Sequence, residues 1–168
     1  MTDIRQEKSA DVAAIEQVLV ASFPSAAEAG LVSALRQAGK LIVSPVAIQG
    51  SQVVGHVALS PVTLDPPSKG LSILGLAPVA VVPAQQRSGV GSQLVQRAFA
   101  AARDRCADAV VVLGEPRFYN RFGFLRADEF GLGNAYQANE HFMVIELRPG
   151  CLDGTRAIAK YAAEFALV

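Results

Sequence analysis

The chain has 168 residues, 51% of them hydrophobic and 18% charged, and its fifteen basic and fifteen acidic side chains cancel. The length predicts one domain over residues 1–168, and the apolar fraction excludes a disordered chain. Balanced charge argues against a nucleic-acid partner, since such binders carry a basic excess to neutralise phosphates.

Two cysteines, Cys106 and Cys151, make neither a disulfide framework nor a zinc site, so no metal is expected. The polar opening Met1 to Lys8 lacks a secretory apolar stretch. The longest apolar segment, Leu71 to Ala84, is too short for a bilayer and is broken by Pro78 and Pro83. A cytoplasmic protein with no membrane partner is the expectation.

Residues 2–7 read as a short first strand. Ser9 precedes a helical pattern with Val12, Ile15, Val18 and Leu19 on one face, ending near Phe23-Pro24. Ser25 with Glu28 predicts a capping box for a second helix carrying Leu31, Ala34 and Leu35, with Gly39 as its stop. Leu41 to Ile48 and Gln52 to Leu64 then read as a hairpin joined by Gln49-Gly50-Ser51. Asp65 to Gly70 is a turn-rich loop. Leu71 to Val82 is near-continuously apolar, as a strand buried on both faces would be.

After Gln86-Arg87-Ser88-Gly89-Val90-Gly91 a helix is predicted from about Ser92 to Cys106, with Leu94, Val95, Ala98, Phe99 and Ala102 inward. Ala109 to Leu113 reads as another buried strand and Glu115 to Phe122 as a short helix. Phe124-Leu125 restarts extended chain, and His141 to Leu147 reads as a late strand. The tail from Arg148 has a turn at Pro149-Gly150 and an apolar end with no assigned place. Strands and helices mixed in this order argue an α/β sheet with helices on its faces.

The chemistry concentrates where the strand ending at Val82 runs through a glycine-bearing turn into a helix. The first turn of a helix has N–H groups without internal partners, and the dipole adds partial positive charge there. Such donors suit a phosphate, and Gly89 and Gly91 let it approach the backbone. A nucleoside-triphosphate loop needs Gly-Lys-Ser/Thr, but Ser92-Gln93 follows Gly91. A dinucleotide fingerprint needs a third small residue where Leu94 stands, and an acidic residue that Ala109 to Leu113 lacks. From the glycines alone, a phosphate cradle and a plain helix cap both remain open.

Two stretches together resemble the GCN5-related N-acetyltransferases. Gln86-x-x-Gly89-x-Gly91 after an apolar strand is similar to that family's acetyl-coenzyme-A motif. Phe118-Tyr119-Asn120-Arg121-Phe122-Gly123-Phe124 is similar to its Phe-Tyr-x-x-x-Gly-Phe segment, in the expected order and spacing. Gly75 to Val81 and Val111 to Gly114 resemble the YhbS-like branch. The resemblance covers residues 3 to 147 and leaves 148–168 as an extension. It implies a mixed, mostly antiparallel sheet flanked by helices and splayed between its fourth and fifth strands.

It also implies acetyl-coenzyme A as cosubstrate and direct acetyl transfer to a primary amine, on a small molecule, a peptide or a protein. Amides from Arg87, Ser88, Gly89, Val90, Gly91 and Ser92, with Gln86 ahead of them, would hold the pyrophosphate. The main chain of Val79, Ala80 and Val81 would pair with the pantetheine arm, and an amide there would polarise the acetyl carbonyl. Tyr119 would protonate the departing thiolate.

The base stays open. The strand before the glycine turn has no carboxylate, which leaves His56, Glu115 through a water relay, or a desolvated amine without a base. Glu115 also reads as a carboxylate complementing a helix dipole. Cys106 reads as helix packing, His141 beside Glu140 as substrate-facing or as a solvated strand start, and Arg117 and Arg121 as meeting cofactor phosphates or solvent. Asp65 to Gly70 and Asp128 to Glu140 are expected acceptor-side walls. Exposed strand edges leave a homodimer open. The competing functional reading is an acyl-coenzyme-A-binding regulatory module without catalysis, and behind it a structural scaffold.

Overall fold

The computed structural model describes residues 1–168. In chain order its elements are β1 (Thr2–Gln6), α1 (Val12–Ser22), α2 (Ala27–Gln37), β2 (Pro45–Gln49), β3 (Gln52–Asp65), β4 (Ile73–Val81), α3 (Val90–Asp104), β5 (Ala109–Leu113), α4 (Pro116–Tyr119), β6 (Leu125–Arg126), β7 (Leu132–Asn134), β8 (Phe142–Glu146) and β9 (Ala157–Lys160). Short 3-10 turns cover Ser9–Asp11, Pro83–Gln85, Asn120–Phe122, Ala127–Phe130 and Ala163–Leu167. Hydrogen-bonded neighbours follow the order β1-β2-β3-β4-β5-β8-β6, and β9 pairs with β3 and β7. No helix is long and apolar enough to cross a membrane.

The chain forms two compact units: Met1–Leu59, Ala77–Ala101 and Ala163–Val168 make one, Ser60–Leu76 and Ala102–Ala162 the other. In the first unit β1 and β2 pair antiparallel from Thr2↔Gln49 to Gln6↔Pro45, and β2 pairs antiparallel with β3. Ile15, Val18 and Leu19 of α1 and Ala29 and Val32 of α2 close on Val46 and Ala80.

The start of α1 is set by Asp11 rather than Ser9. Its carboxylate accepts the Lys8 N–H at 2.7 Å and the Arg5 guanidinium at 2.7 and 3.1 Å. The box expected from Ser25 and Glu28 does not form, because the N-cap of α2 is Ala26; the Ser25 hydroxyl accepts only the Ala27 N–H, at 3.2 Å. Gly39 does end α2, at φ +70°, with Lys40 N–H bonding back to Leu35 and Gly39 N–H to Arg36. The expected strand from Leu41 shortens to begin at Pro45, with one isolated bridge at Val43↔Leu59.

In the second unit β4 pairs parallel with β5 over Ile73↔Ala109, Leu74↔Val110 and Gly75↔Val111. The register stops there, while β4 runs on to Val81 and β5 to Leu113. Strand β5 pairs antiparallel with β8 along its whole length, which fixes Leu113 opposite Phe142. Asp108 anchors the start of β5, accepting from Ser72 N–H and Arg148 Nε at 2.8 Å each. The core holds Val111, Phe142, Val144, Leu132 and Leu152.

Cys106 departs from its expected place. Helix α3 ends at Asp104, and Cys106 is exposed at φ +59°. The unassigned tail supplies β9, whose Thr63↔Lys160 to Asp65↔Ile158 register extends β3, and Phe165, which is buried.

Candidate active site

At the end of β4 the Val82 N–H donates to Val54 on β3 at 2.9 Å. Across the same flat peptide the Val81 carbonyl points the other way. There it accepts from Gln86 Nε2 at 3.0 Å and, at 3.1 Å, shares the one hydrogen of Ser22 Oγ with the Val18 carbonyl, which is closer at 2.6 Å. The Ala80 carbonyl lies on the β3 side, 3.2 Å from where a Cβ on Gly55 would sit. Strand alternation therefore leaves Val79 and Val81, not Ala80, with N–H groups on the edge away from β3. Gln86 is committed to that strand end, and Ser22 is a participant the sequence reading missed.

The turn that follows is exposed from Gln86 to Gly89. Arg87 at φ +61° and Gly89 at φ +89° reverse the chain, and the Ser88 hydroxyl bonds the Gln85 carbonyl. A Cβ on Gly89 would meet no atom within 4 Å, so glycine is needed there for conformation rather than space. The helix ladder begins with Gln93 N–H to Gly89 carbonyl at 3.1 Å. The N–H groups of Val90, Gly91 and Ser92 precede it, as first-turn donors do. Helix α3 thus starts inside the glycine turn, two residues before the expected Ser92.

The aromatic corner lies beyond β5. Pro116 occupies the first turn of α4, where a missing N–H costs nothing. The Glu115 carbonyl accepts from Phe118 and Tyr119 at 3.1 and 3.2 Å, and the Glu115 side chain is exposed. Gly123 at φ +100° turns the chain so that Phe124 is buried, and Tyr119 packs edge-on against Phe118 and Phe124 at 4.9 and 5.6 Å. The Tyr119 ring lies on Gly114: an added Cβ would overlap its Cε2 and sit 3.0 Å from its Cδ2. Burial pushes the Tyr119 hydroxyl up to about 12, which keeps it a proton donor at neutral pH. Arg121 is held at the corner, its guanidinium 4.5 Å over Phe118 and its Nε donating to the Phe118 carbonyl at 3.0 Å.

His56 sits elsewhere. It has no exposed surface, and its Nε2 lies 2.7 Å from Ser44 Oγ and 3.8 Å from Glu7 Oε1. Glu7 takes both Nε and Nη2 of Arg36 at 3.0 Å and bonds the Ser44 hydroxyl. Burial pushes the Glu7 carboxyl up, but the nearby His56 and the hydrogen bonds from Arg36 and Ser44 outweigh it and bring it to about 2. Burial holds the His56 imidazole below its ordinary value, against the pull of Glu7. A substrate amine has no route to a side chain without exposed surface. This cluster links β1, α2, β2 and β3.

His141 is exposed and hangs on Gly114: Gly114 N–H donates to the His141 carbonyl at 3.0 Å, and His141 Nδ1 lies 3.3 Å from the Gly114 carbonyl. Tyr161, from the tail, was also unforeseen; its ring carbons are 3.1 and 3.2 Å from the Cβ position of Gly75, the last β4 residue paired with β5. The expected wall segment contributes Asp128, Glu129 and Asn139 to a cavity of about 760 Å³, joined by Asp153 and Arg156.

Residues 3–127 match the family model of the acetyltransferase (GNAT) domain. The chain is 37% identical over 164 residues to the uncharacterised N-acetyltransferase YhbS of Escherichia coli strain K12, across 96% of this chain and 97% of that protein. The crystal structure of Escherichia coli YhbS in complex with CoA superposes with TM-score 0.92 at 35% identity, covering 98% of this chain and 92% of that one. A GNAT acetyltransferase from Brucella melitensis in complex with acetyl-CoA gives TM-score 0.81 at 35% identity, covering 98% of each chain. Likeness of this extent reflects common descent, and the chain belongs to the GNAT acetyltransferase family.

Proposed function

We propose that residues 1–168 act as one N-acetyltransferase domain that binds acetyl-coenzyme A and passes its acetyl group directly to a primary amine. The observation that carries this reading is the run of first-turn donors at Val90, Gly91 and Ser92, preceded by the reversal at Arg87 and Gly89. The Escherichia coli and Brucella melitensis relatives, crystallised with CoA and acetyl-CoA, support it. Amides from Arg87 to Ser92 hold the pyrophosphate. Val79 and Val81 offer main chain to the pantetheine arm, and Ala80 only places them. Gln86 shapes the strand end.

The amine nitrogen attacks the thioester carbon, a C–N bond forms and the C–S bond breaks. Tyr119 gives its proton to the leaving thiolate and regains one from solvent. Glu115, exposed at the start of α4, relays on to water the protons that the amine gives up. His56 serves the buried cluster with Glu7 and Ser44 and stands outside this chemistry. Asp65 to Gly70 and Asp128 to Glu140 flank the acceptor, and the protein works in the cytoplasm.

Incubation with acetyl-coenzyme A and a panel of primary amines should yield acetylated amine and free thiol. Tyr119→Phe should lower kcat by about 10²–10⁴ while calorimetric affinity for acetyl-coenzyme A is kept. Full activity in that variant removes Tyr119 from the mechanism. Acetyl-coenzyme-A binding without turnover of any amine would replace the enzyme with a regulatory module.

A further inference from the structure

We infer that His141 is the base that takes the proton from the attacking amine. This rests on the acetyl-transfer reading above and adds the group it lacks. Strand β4 carries no carboxylate, His56 is sealed, and the reaction still needs a neutral amine.

Three features of one glycine bring His141 forward. A carbonyl oxygen only accepts, so the Gly114 carbonyl, 3.3 Å from His141 Nδ1, favours the tautomer with the hydrogen on that nitrogen. That tautomer leaves the lone pair on Nε2. The return bond, Gly114 N–H to the His141 carbonyl at 3.0 Å, fixes the backbone from which the ring hangs. The same Gly114 lies under the ring of Tyr119, so close that a Cβ there would overlap it. Acid and base are thus hung from one residue at the end of β5. His141 is exposed, as a group that meets an incoming amine must be, whereas the imidazole of His56 is not.

In the step, Nε2 of His141 takes a proton from the ammonium, the freed amine forms the C–N bond, and the nitrogen then loses its second proton to water. The C–S bond breaks and its electron pair leaves on sulfur, which takes the proton of Tyr119. The imidazolium then releases its proton to water and the tyrosinate recovers one. The sum is acetyl-coenzyme A plus ammonium going to amide, coenzyme A thiol and one proton.

The test follows amide product by mass spectrometry, using acetyl-coenzyme A and the panel amine that reacts fastest. His141→Ala should lower kcat at least tenfold, with calorimetric affinity for acetyl-coenzyme A within twofold of native. Added imidazole should restore part of that rate in His141→Ala and leave the native rate unchanged. His141→Gln keeps a donor for the Gly114 carbonyl but has no proton-accepting nitrogen, and should stay slow. Native kcat in His141→Ala, no rescue by imidazole, or recovery in His141→Gln would each overturn the assignment while native turnover upholds acetyl transfer. No amide from the native protein with any amine would overturn the acetyl-transfer reading and this base with it.

Discussion

Gly89 and Gly114 are glycines for opposite reasons. Gly89 stands in open space at φ +89°, a conformation that side-chain-bearing residues rarely adopt. Gly114 has no positive φ, but the space of its Cβ is filled by Tyr119. The first corner is built from main-chain donors and tolerates exposed side chains around it. The second is built from packed rings, and the smallest added group disturbs it. A corner of main-chain donors and a corner of packed rings therefore place different demands on the sequence, and substitution separates them.

Among substitutions that leave Tyr119 itself in place at these corners, the largest effect is expected from Gly114→Ala. The new methyl must push the Tyr119 ring aside, a shape conflict costing about 1–3 kcal/mol of stability. It should also lower kcat by more than tenfold while acetyl-coenzyme A still binds, as calorimetry beside steady-state kinetics would show. Native kcat in that variant would mean the ring position is irrelevant to turnover.

Gly89→Ala should produce the reverse split. A left-handed residue with a side chain costs about 1–2 kcal/mol. If the turn opens to avoid that cost, the Kd for acetyl-coenzyme A should rise by about tenfold, with kcat at saturation kept. Loss of kcat without loss of affinity would blur the distinction between the corners.

Ser22→Ala is the gentlest of the three. It removes from the Val81 carbonyl the longer branch of a hydroxyl bond shared with Val18, worth at most about 1 kcal/mol. Thermal unfolding should register the change, and acetyl-coenzyme A affinity should fall by less than about fivefold. A larger loss than in Gly89→Ala would move the centre of binding from the turn to the strand edge.

The parts legible in the sequence were those with local causes. The apolar runs of β4 and β5, the Gly39 stop of α2 and the Gly50 hairpin each depend on residues within a few positions, and each stands where expected. The glycine turn and the aromatic corner were legible as patterns. What escaped depends on distant partners. Ser22 reads as an ordinary helix-end serine until Val81, far along the chain, presents its carbonyl. His56 reads as a candidate base until Ser44 and Glu7 enclose it. His141 reads as a solvated strand start until the register of β5 with β8 sets it against Gly114. Strands β6, β7 and β9 are too short to carry a period, and only pairing defines them.

The closing turn, Ala163–Leu167, belongs to the same compact unit as β1 and α1, with Lys40 gripping Glu164 at 2.6 Å and Phe165 buried. A ribosome making this protein therefore emits the N-terminal portion long before the piece that seals it. That portion must wait, incompletely covered, until residues 163–168 emerge. Units that are contiguous in a chain escape such a delay, since each closes as it leaves the exit tunnel.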